Sequence, residues 1–255
     1  MSDVMRHKVL VSLSSILRVA MLEGHVNRNV ADRYRVEVDK RARRKVKVGV
    51  DIPSTAEVGR FLAVLEDPWR PFFLTAVFTG MRASELRGLR WPNVDLKAGE
   101  IHVRERADMY HQIGSPKSEA GERTIPIGPQ VVNTLKRWRL KCPPGEMGLV
   151  FPTRTGKVQS LSNIIRRGLI PLMQKAGVVD KHGNAKYSGM HSFRHFYASL
   201  LINPKDQGGH GLSPQVVQKR LGHSTLAMTM DVYSHLFPRG DDADQLRDVE
   251  LSVLG

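Results

Sequence analysis

Residues 72–78, Phe-Phe-Leu-Thr-Ala-Val-Phe, are almost wholly apolar and stand between Pro71 and Gly80. Proline just inside a helix start and glycine just past its end bracket a helix. A helix that is apolar on every side has to be buried, so the rest of the chain must supply a shell around it. Helical patterns flank it on both sides. Ser54-Thr55-Ala56-Glu57 has the form of a capping box and opens a helix to about Glu66, with Val58, Phe61, Leu62 and Leu65 inward. After Gly80, Arg82 stands in a tight turn, and Ser84-Glu85-Leu86 begins another helix. Further helices are expected over 129–141, over 160–176 with interruptions at Gly168 and Pro171 and with Pro171 opening a second segment at its first turn, over 190–202, over 213–221, and from a Ser224 cap through Tyr233.

The stretch 91–127 has a different character. Residues 100–106 and 122–127 alternate and are rich in β-branched side chains, which reads as two strands, and a short strand near 94–96 precedes them. A turn-rich loop, 114–121, lies between the two and carries Lys117. The expected class is mainly α with a small antiparallel β-sheet at one edge, an α+β fold.

Upstream, residues 8–23 form an amphipathic helix with Val9, Leu13, Ile16, Leu17 and Ala20 on one face, and Gly24 stops it. One helix cannot bury such a stripe alone. A basic segment follows. Residues 1–50 hold 12 Lys and Arg against 5 Asp and Glu, so half of the formal charge of +14 sits in the first fifth of the chain. A strongly basic chain points to a polyanionic partner, nucleic acid first. A basic surface without a partner, or a solvated linker, is the plainer reading. The position of the run favours phosphate contact by Arg41, Arg43, Arg44, Lys45 and Lys47. Cys142 is the only cysteine, which excludes an intramolecular disulfide and fits a reducing cytoplasm. No run approaches the roughly 18 apolar residues of a membrane span, and the first eight residues lack the form of a signal peptide. A cytoplasmic protein with no membrane contact is expected.

The residues with chemistry fall in four segments. These are Thr79-Gly-Met-Arg82-Ala-Ser-Glu85-Leu, His191-Ser-Phe-Arg194, Leu221-Gly-His223-Ser and Met230-Asp-Val-Tyr233. They place two arginines, two histidines and a tyrosine at helix ends or on helix faces. Such a set suits attack of a phenolic oxygen on a phosphodiester, with guanidinium and imidazole groups holding the phosphate charge. A free phenol, with a pKa of about 10, is a poor nucleophile at neutral pH, and nearby guanidinium charge favours the phenolate. Arg82 alone would read as a surface salt bridge. His191 and His195, four apart, raise a zinc reading. It is set aside because no glutamate lies between them, no third ligand is marked and Arg194 on that face repels a cation. His195 is then read as structural. No acidic cluster for magnesium is marked, so neither metal nor cofactor is expected.

These four segments, in this order, resemble the boxes of the tyrosine recombinase (phage integrase) family over roughly residues 52–237. The family's pattern is an Arg in T-G-x-R-x-S-E-L, an H-x-x-R pair, an L-G-H-S turn and a Tyr about ten residues later. The Arg194-to-His223 separation, with its Gly-rich insertion over 203–211, is longer than the family's usual spacing. The resemblance implies a site-specific DNA recombinase acting through a covalent 3′-phosphotyrosine. Tyr233 would attack. Arg82 and Arg194 would hold the non-bridging oxygens, with Glu85 supporting Arg82. His191 would act as acid–base, His223 would donate to the phosphate, and Lys117 would protonate the leaving 5′ oxygen. Residues 1–50 would be the end of a helical core-binding domain plus a basic linker, 51–237 the catalytic domain, and 238–255 an acidic tail, either disordered or docking on a neighbouring protomer. The partner would be double-stranded DNA carrying a recombination site, bound by a homotetramer whose subunits are compatible with a monomer in solution. A bacterial or phage origin is implied. Two other readings share these residues: a type IB topoisomerase-like DNA relaxase, and a non-catalytic DNA-binding protein of the same fold.

Overall fold

A computed structural model describes residues 3–36, 46–116 and 118–237, together with positions 252 and 254. Lys117, the basic residues Arg41, Arg43, Arg44 and Lys45, and nearly all of the acidic tail lie outside the described residues. The chain divides into two compact units, Met1–Arg44 and Lys45–Gly255.

In the first unit, α1 (Asp3–Leu22) is followed by a 3-10 turn, Val30–Arg33. Asn29 caps that turn by accepting from the Ala31 amide, and its side chain donates to Ser14 and Asp32. Of the expected apolar stripe, Val9, Leu13 and Ile16 remain exposed, and Leu17 and Ala20 are half-buried.

The second unit is built round the apolar helix that the sequence singles out, α3 (Trp69–Thr79), which follows α2 (Thr55–Ala63) and precedes α4 (Ala83–Gly88). The capping box at α2 is present, with Ser54 accepting from the Glu57 amide and Glu57 from the Ser54 amide. Phe72, Phe73 and Val77 of α3 have 1% or less of their surface exposed. The two threonines on this buried helix stay satisfied by donating to the carbonyl four residues back, Thr75 to Pro71 at 2.7 Å and Thr79 to Thr75 at 2.6 Å. Phe73 meets Phe61 of α2 edge-on, with ring centroids 5.3 Å apart. It also meets Phe193 of α8 (His191–Ile202) at 6.0 Å. Such aromatic pairs add directional packing to burial.

The sheet at the edge is antiparallel, in the order β1 (Val94–Asp95), β2 (Glu100–Val103) and β5 (Arg123–Pro126). Ile101 pairs with Ile125, and both are fully buried. The expected strand over 100–106 is divided. β2 ends at Val103, and β3 (Arg106–Ala107) turns away to pair with β4 (Ile113–Gly114). Beyond the sheet come α5 (Pro129–Arg139) and the helical run of α6 (Leu161–Asn163), a π turn (Ile164–Leu169) and α7 (Ile170–Lys175). The expected break at Gly168 falls inside that π turn, and Pro171 stands in the first turn of α7, as expected. α8 leads to α9 (Pro214–Leu221) and α10 (Leu226–Tyr233). The cap of α10 is Thr225, which accepts from the Met228 amide, rather than the expected Ser224. Among the described residues no helix is long and apolar enough to cross a membrane.

Candidate active site

The last carbonyls of a helix have no partner within it, and they lie at the negative end of the helix dipole. At the end of α9 three successive carbonyls are taken by three arginines from distant parts of the chain. Arg123 Nε donates to Arg220 O at 2.8 Å, Arg194 Nη2 donates to Leu221 O, and Arg82 Nη2 donates to Gly222 O at 3.0 Å. Gly222 ends the helix at φ 67°. A Cβ there would stand 2.8 Å from Ala120 O and 2.9 Å from Arg123 Nη1. Glycine is thus needed both for the backbone angle and for room. The same turn carries His223, whose amide donates to Gln218 O at 3.1 Å.

Each arginine is held from a second side. Arg82 sits at the start of α4, in extended backbone just after Gly80 turns the chain out of α3. Glu85, one turn into α4, accepts from the Arg82 amide at 2.8 Å and from Arg82 Nη1 at 2.8 Å. The buried Glu85 carboxylate also accepts from Arg123 Nη1 at 3.1 Å and Nη2 at 2.8 Å. Burial works to raise the Glu85 pKa, but the Arg123 hydrogen bond and charge, with Arg82 behind them, hold it below the ordinary carboxylate value. Arg194, only 3% exposed, also donates through Nη1 to Gly80 O at 2.8 Å. Burial and the neighbouring charges of Arg82 and Arg123 press its pKa down to about 9, still well above neutrality.

Two of the three guanidiniums thus share one carboxylate, while Arg194, among the described residues, bonds only to the carbonyls of Gly80 and Leu221. The surplus positive field shows in the imidazoles. Burial, then Arg194, Arg82 and Arg123, push the His223 pKa down to about 3. His191, open to solvent at the start of α8, is lowered by desolvation and by Arg194 and Arg82. His223 Nδ1 lies 2.9 Å from Thr229 Oγ1.

Tyr233 ends α10 and is 2% exposed. Its ring stacks parallel to His223 with centroids 6.5 Å apart. Its hydroxyl is 2.7 Å from Nδ1 of His195. Burial raises the phenol pKa to about 12, against the lowering influence of Arg194. The tyrosine is therefore docked in its own chain, beside the arginines. His195, read from sequence as structural, is the histidine hydrogen-bonded to it.

A cleft of about 410 Å³ opens over this cluster, lined by Arg82, Glu85, Arg106, Gly222, Ser224 and Met228 among others. Arg106, on β3, was not singled out by the sequence, and its buried Nε has no acceptor among the described residues. Arg123 was also missed. A signal for it was present: Arg123 and Ile125 are two apart on a strand, so they share the face that Ile125 buries. Of the residues expected to act, Arg82, Glu85, His191, Arg194, His223 and Tyr233 converge here. Lys47, at the entry to the second unit, is exposed.

A family model described as the phage integrase family matches residues 55–239. The chain is 25% identical over 252 residues to a tyrosine recombinase XerC-like protein of Caldanaerobacter subterraneus, covering 89% of this chain and 61% of that protein. It is 26% identical over 253 residues to the ICEBs1 integrase of Bacillus subtilis, covering 95% and 65%. Tyrosine recombinase XerC of Xylella fastidiosa is 31% identical over 189 residues, covering 73% and 52%. The chain thus spans between about half and two thirds of the length of these relatives. Among solved structures, the Tn1549 transposon integrase in complex with transposon right end DNA superposes with a TM-score of 0.67 at 20% identity, over 95% of this chain and 78% of that one. A lambda integrase dimer bound to a core site gives 0.56 at 20% identity, over 89% and 74%. With the match covering the whole span from α2 to beyond Tyr233, this chain belongs to the phage integrase family.

Proposed function

We propose that this chain is the catalytic part of a site-specific recombinase that cuts and rejoins duplex DNA through a covalent 3′-phosphotyrosine at Tyr233. The observation that carries the reading is the convergence of Arg82, Arg194 and His223 on one helix end with a buried tyrosine alongside. Their surplus positive charge matches a phosphodiester. The guanidiniums bind its non-bridging oxygens, and the same contacts strengthen as charge builds on the pentacoordinate phosphorus. Positive charge also favours loss of the phenolic proton. The bond energy stays in the phosphotyrosine, so attack by a 5′ hydroxyl of another strand restores DNA without a nucleotide cofactor.

Within this reading Glu85 positions Arg82, His191 serves acid–base chemistry near the nucleophile, His223 donates to the phosphate, and Lys117 protonates the leaving oxygen. Arg41, Arg43, Arg44, Lys45 and Lys47 contact DNA phosphates. Residues 1–50 act as a core-binding remnant with its linker, 51–237 as the catalytic domain, and 238–255 as a docking tail. The protein works in the cytoplasm as a homotetramer on DNA. Support for a DNA partner comes from the DNA complexes of the fold's solved neighbours.

The test does not require the target site to be known. The full chain is incubated, with EDTA present, with a pool of nicked duplexes carrying a randomised core. Covalent protein–DNA adducts are then recovered under denaturing conditions. Adducts that vanish with Tyr233→Phe are expected. Adducts that persist in that variant would remove Tyr233 from its role.

A further inference from the structure

The recombinase reading gives acid–base chemistry near the nucleophile to His191, but the hydroxyl of Tyr233 meets His195 instead. When a tyrosine oxygen bonds to phosphorus, its phenolic proton must leave. We propose that His195 takes it, so that His195 is a catalytic residue rather than packing. This rests on the recombinase reading of the site.

The contact is direct. Tyr233 Oη and His195 Nδ1 are 2.7 Å apart, and no other hydrogen-bond partner of that hydroxyl is found among the described residues. A buried hydroxyl that only accepted would leave its own proton unsatisfied, a cost of about 1–3 kcal/mol. The phenol therefore donates and Nδ1 accepts, which puts the imidazole proton on Nε2. His191, one helical turn earlier on α8, meets the ring of His195 edge-on, with centroids 5.4 Å apart, rather than the tyrosine.

The groups around His195 explain how it is poised. Burial, then His191 and Arg194 on its own helix, hold its pKa down at about 4, while Asp51 from the segment before α2 works in the opposite direction, and Tyr233 faces it from α10. The imidazole is neutral and free to accept. A phosphate bound to Arg194 offsets part of the charge that depresses it. The phenol grows acidic as its oxygen bonds to phosphorus, so the proton moves during attack rather than before it. In the balanced step the Tyr233 O–H proton goes to His195 Nδ1 and the O–P bond forms. The P–O5′ bond breaks, and the leaving oxygen takes a proton from the acid role assigned to Lys117. Religation runs the same transfer in reverse.

The test compares His195→Asn and His195→Ala with the wild-type chain in single-turnover adduct formation on a duplex recovered from the pool. Asparagine places an amide oxygen where Nδ1 stands, so it can hold the hydroxyl but cannot take its proton. Both variants are expected to slow adduct formation by at least about a hundredfold. The wild-type rate should show a one-proton fall on the acid side, between about 4 in this site and the ordinary value of about 6.5. That limb should be missing in His195→Asn. A His195→Asn rate near wild type would mean that His195 only holds the hydroxyl and would overturn the proposal. Absence of any wild-type adduct would overturn the recombinase reading itself. Should the variants fold poorly, ¹⁵N imidazole shifts of the wild-type protein decide. An unprotonated Nδ1 at neutral pH supports the assignment, and a protonated Nδ1 rejects it.

Discussion

Glu85 receives both terminal nitrogens of Arg123, at 3.1 and 2.8 Å, while its two oxygens also hold the side chain and amide of Arg82. One buried carboxylate thus fixes two guanidiniums that the chain brings from a helix start and a strand. Removing one partner of a buried ion pair leaves the other charge uncompensated, at a cost of about 3–5 kcal/mol. Glu85→Ala is expected to lose about that much in urea unfolding, and to lose adduct formation with it.

The same carboxylate makes the fold acid-sensitive. Its folded pKa lies below the ordinary 4.5, so the unfolded chain binds the extra proton as pH falls through that value. The stabilisation from Glu85 is whole above about 4.5 and is lost as pH falls through the lowered folded value. In Glu85→Gln the dependence of unfolding free energy on pH below about 4.5 should flatten. An unchanged slope would show that the Arg82 and Arg123 contacts do not favour the ionised form.

The histidines set a second, higher window. His195 and His223 stay neutral in the fold, at about 4 and about 3, against an ordinary 6.5. Between those values the unfolded chain binds more protons than the native one, so stability present above pH 6.5 is lost as pH falls toward 4. The melting temperature of the protein without DNA should fall across that range, and less so in His223→Asn. A duplex that neutralises Arg194 and Arg82 should shrink the fall, because phosphate charge raises both histidines.

Gly222 is where the turn, the arginines and His223 depend on one missing side chain. At φ 67°, with Ala120 O and Arg123 Nη1 within 3 Å of a would-be Cβ, Gly222→Ala adds backbone strain of about 1–3 kcal/mol and displaces Arg123. Thermal unfolding should show a loss larger than the backbone penalty alone, with adduct formation reduced further than stability explains. A variant that melts like wild type would mean the turn relaxes freely.

Much of this was legible before any coordinates. The buried α3, its Gly80 end and the capping box at α2 follow from local rules, although α3 starts at Trp69, two residues before the expected Pro71. The converging residues were visible as motifs at helix ends. What the sequence concealed is tertiary in origin. Gly168 signals a break, but a π turn lets the helical run continue through it, with Gly168 against the Trp69 ring. The two-residue strands β3 and β4 are too short for a period to register. His195 shares the four-residue spacing with His191 that suggested zinc. Only the fold of α10 shows that the spacing serves Tyr233 instead. Nothing local indicates that the carbonyls of residues 220–222 would be shared among arginines up to 140 residues away.

Arg106 holds one guanidinium nitrogen without a partner among the described residues. It lines the cleft with Arg82, and its Nε is buried without an acceptor among the described residues. An unsatisfied buried donor costs about 1–3 kcal/mol. A chain that keeps such a group beside the proposed phosphate site trades stability for binding. Arg106→Ala is therefore expected to melt at or above the wild-type temperature, yet to bind duplex DNA more weakly. Its log–log salt slope should be shallower by about one unit, the signature of one lost phosphate contact. Arg106→Lys retains the charge without the planar fork, so it should recover the salt slope but not the full affinity. A destabilised Arg106→Ala with an unchanged salt slope would instead assign this arginine to the packing of β3 against α4.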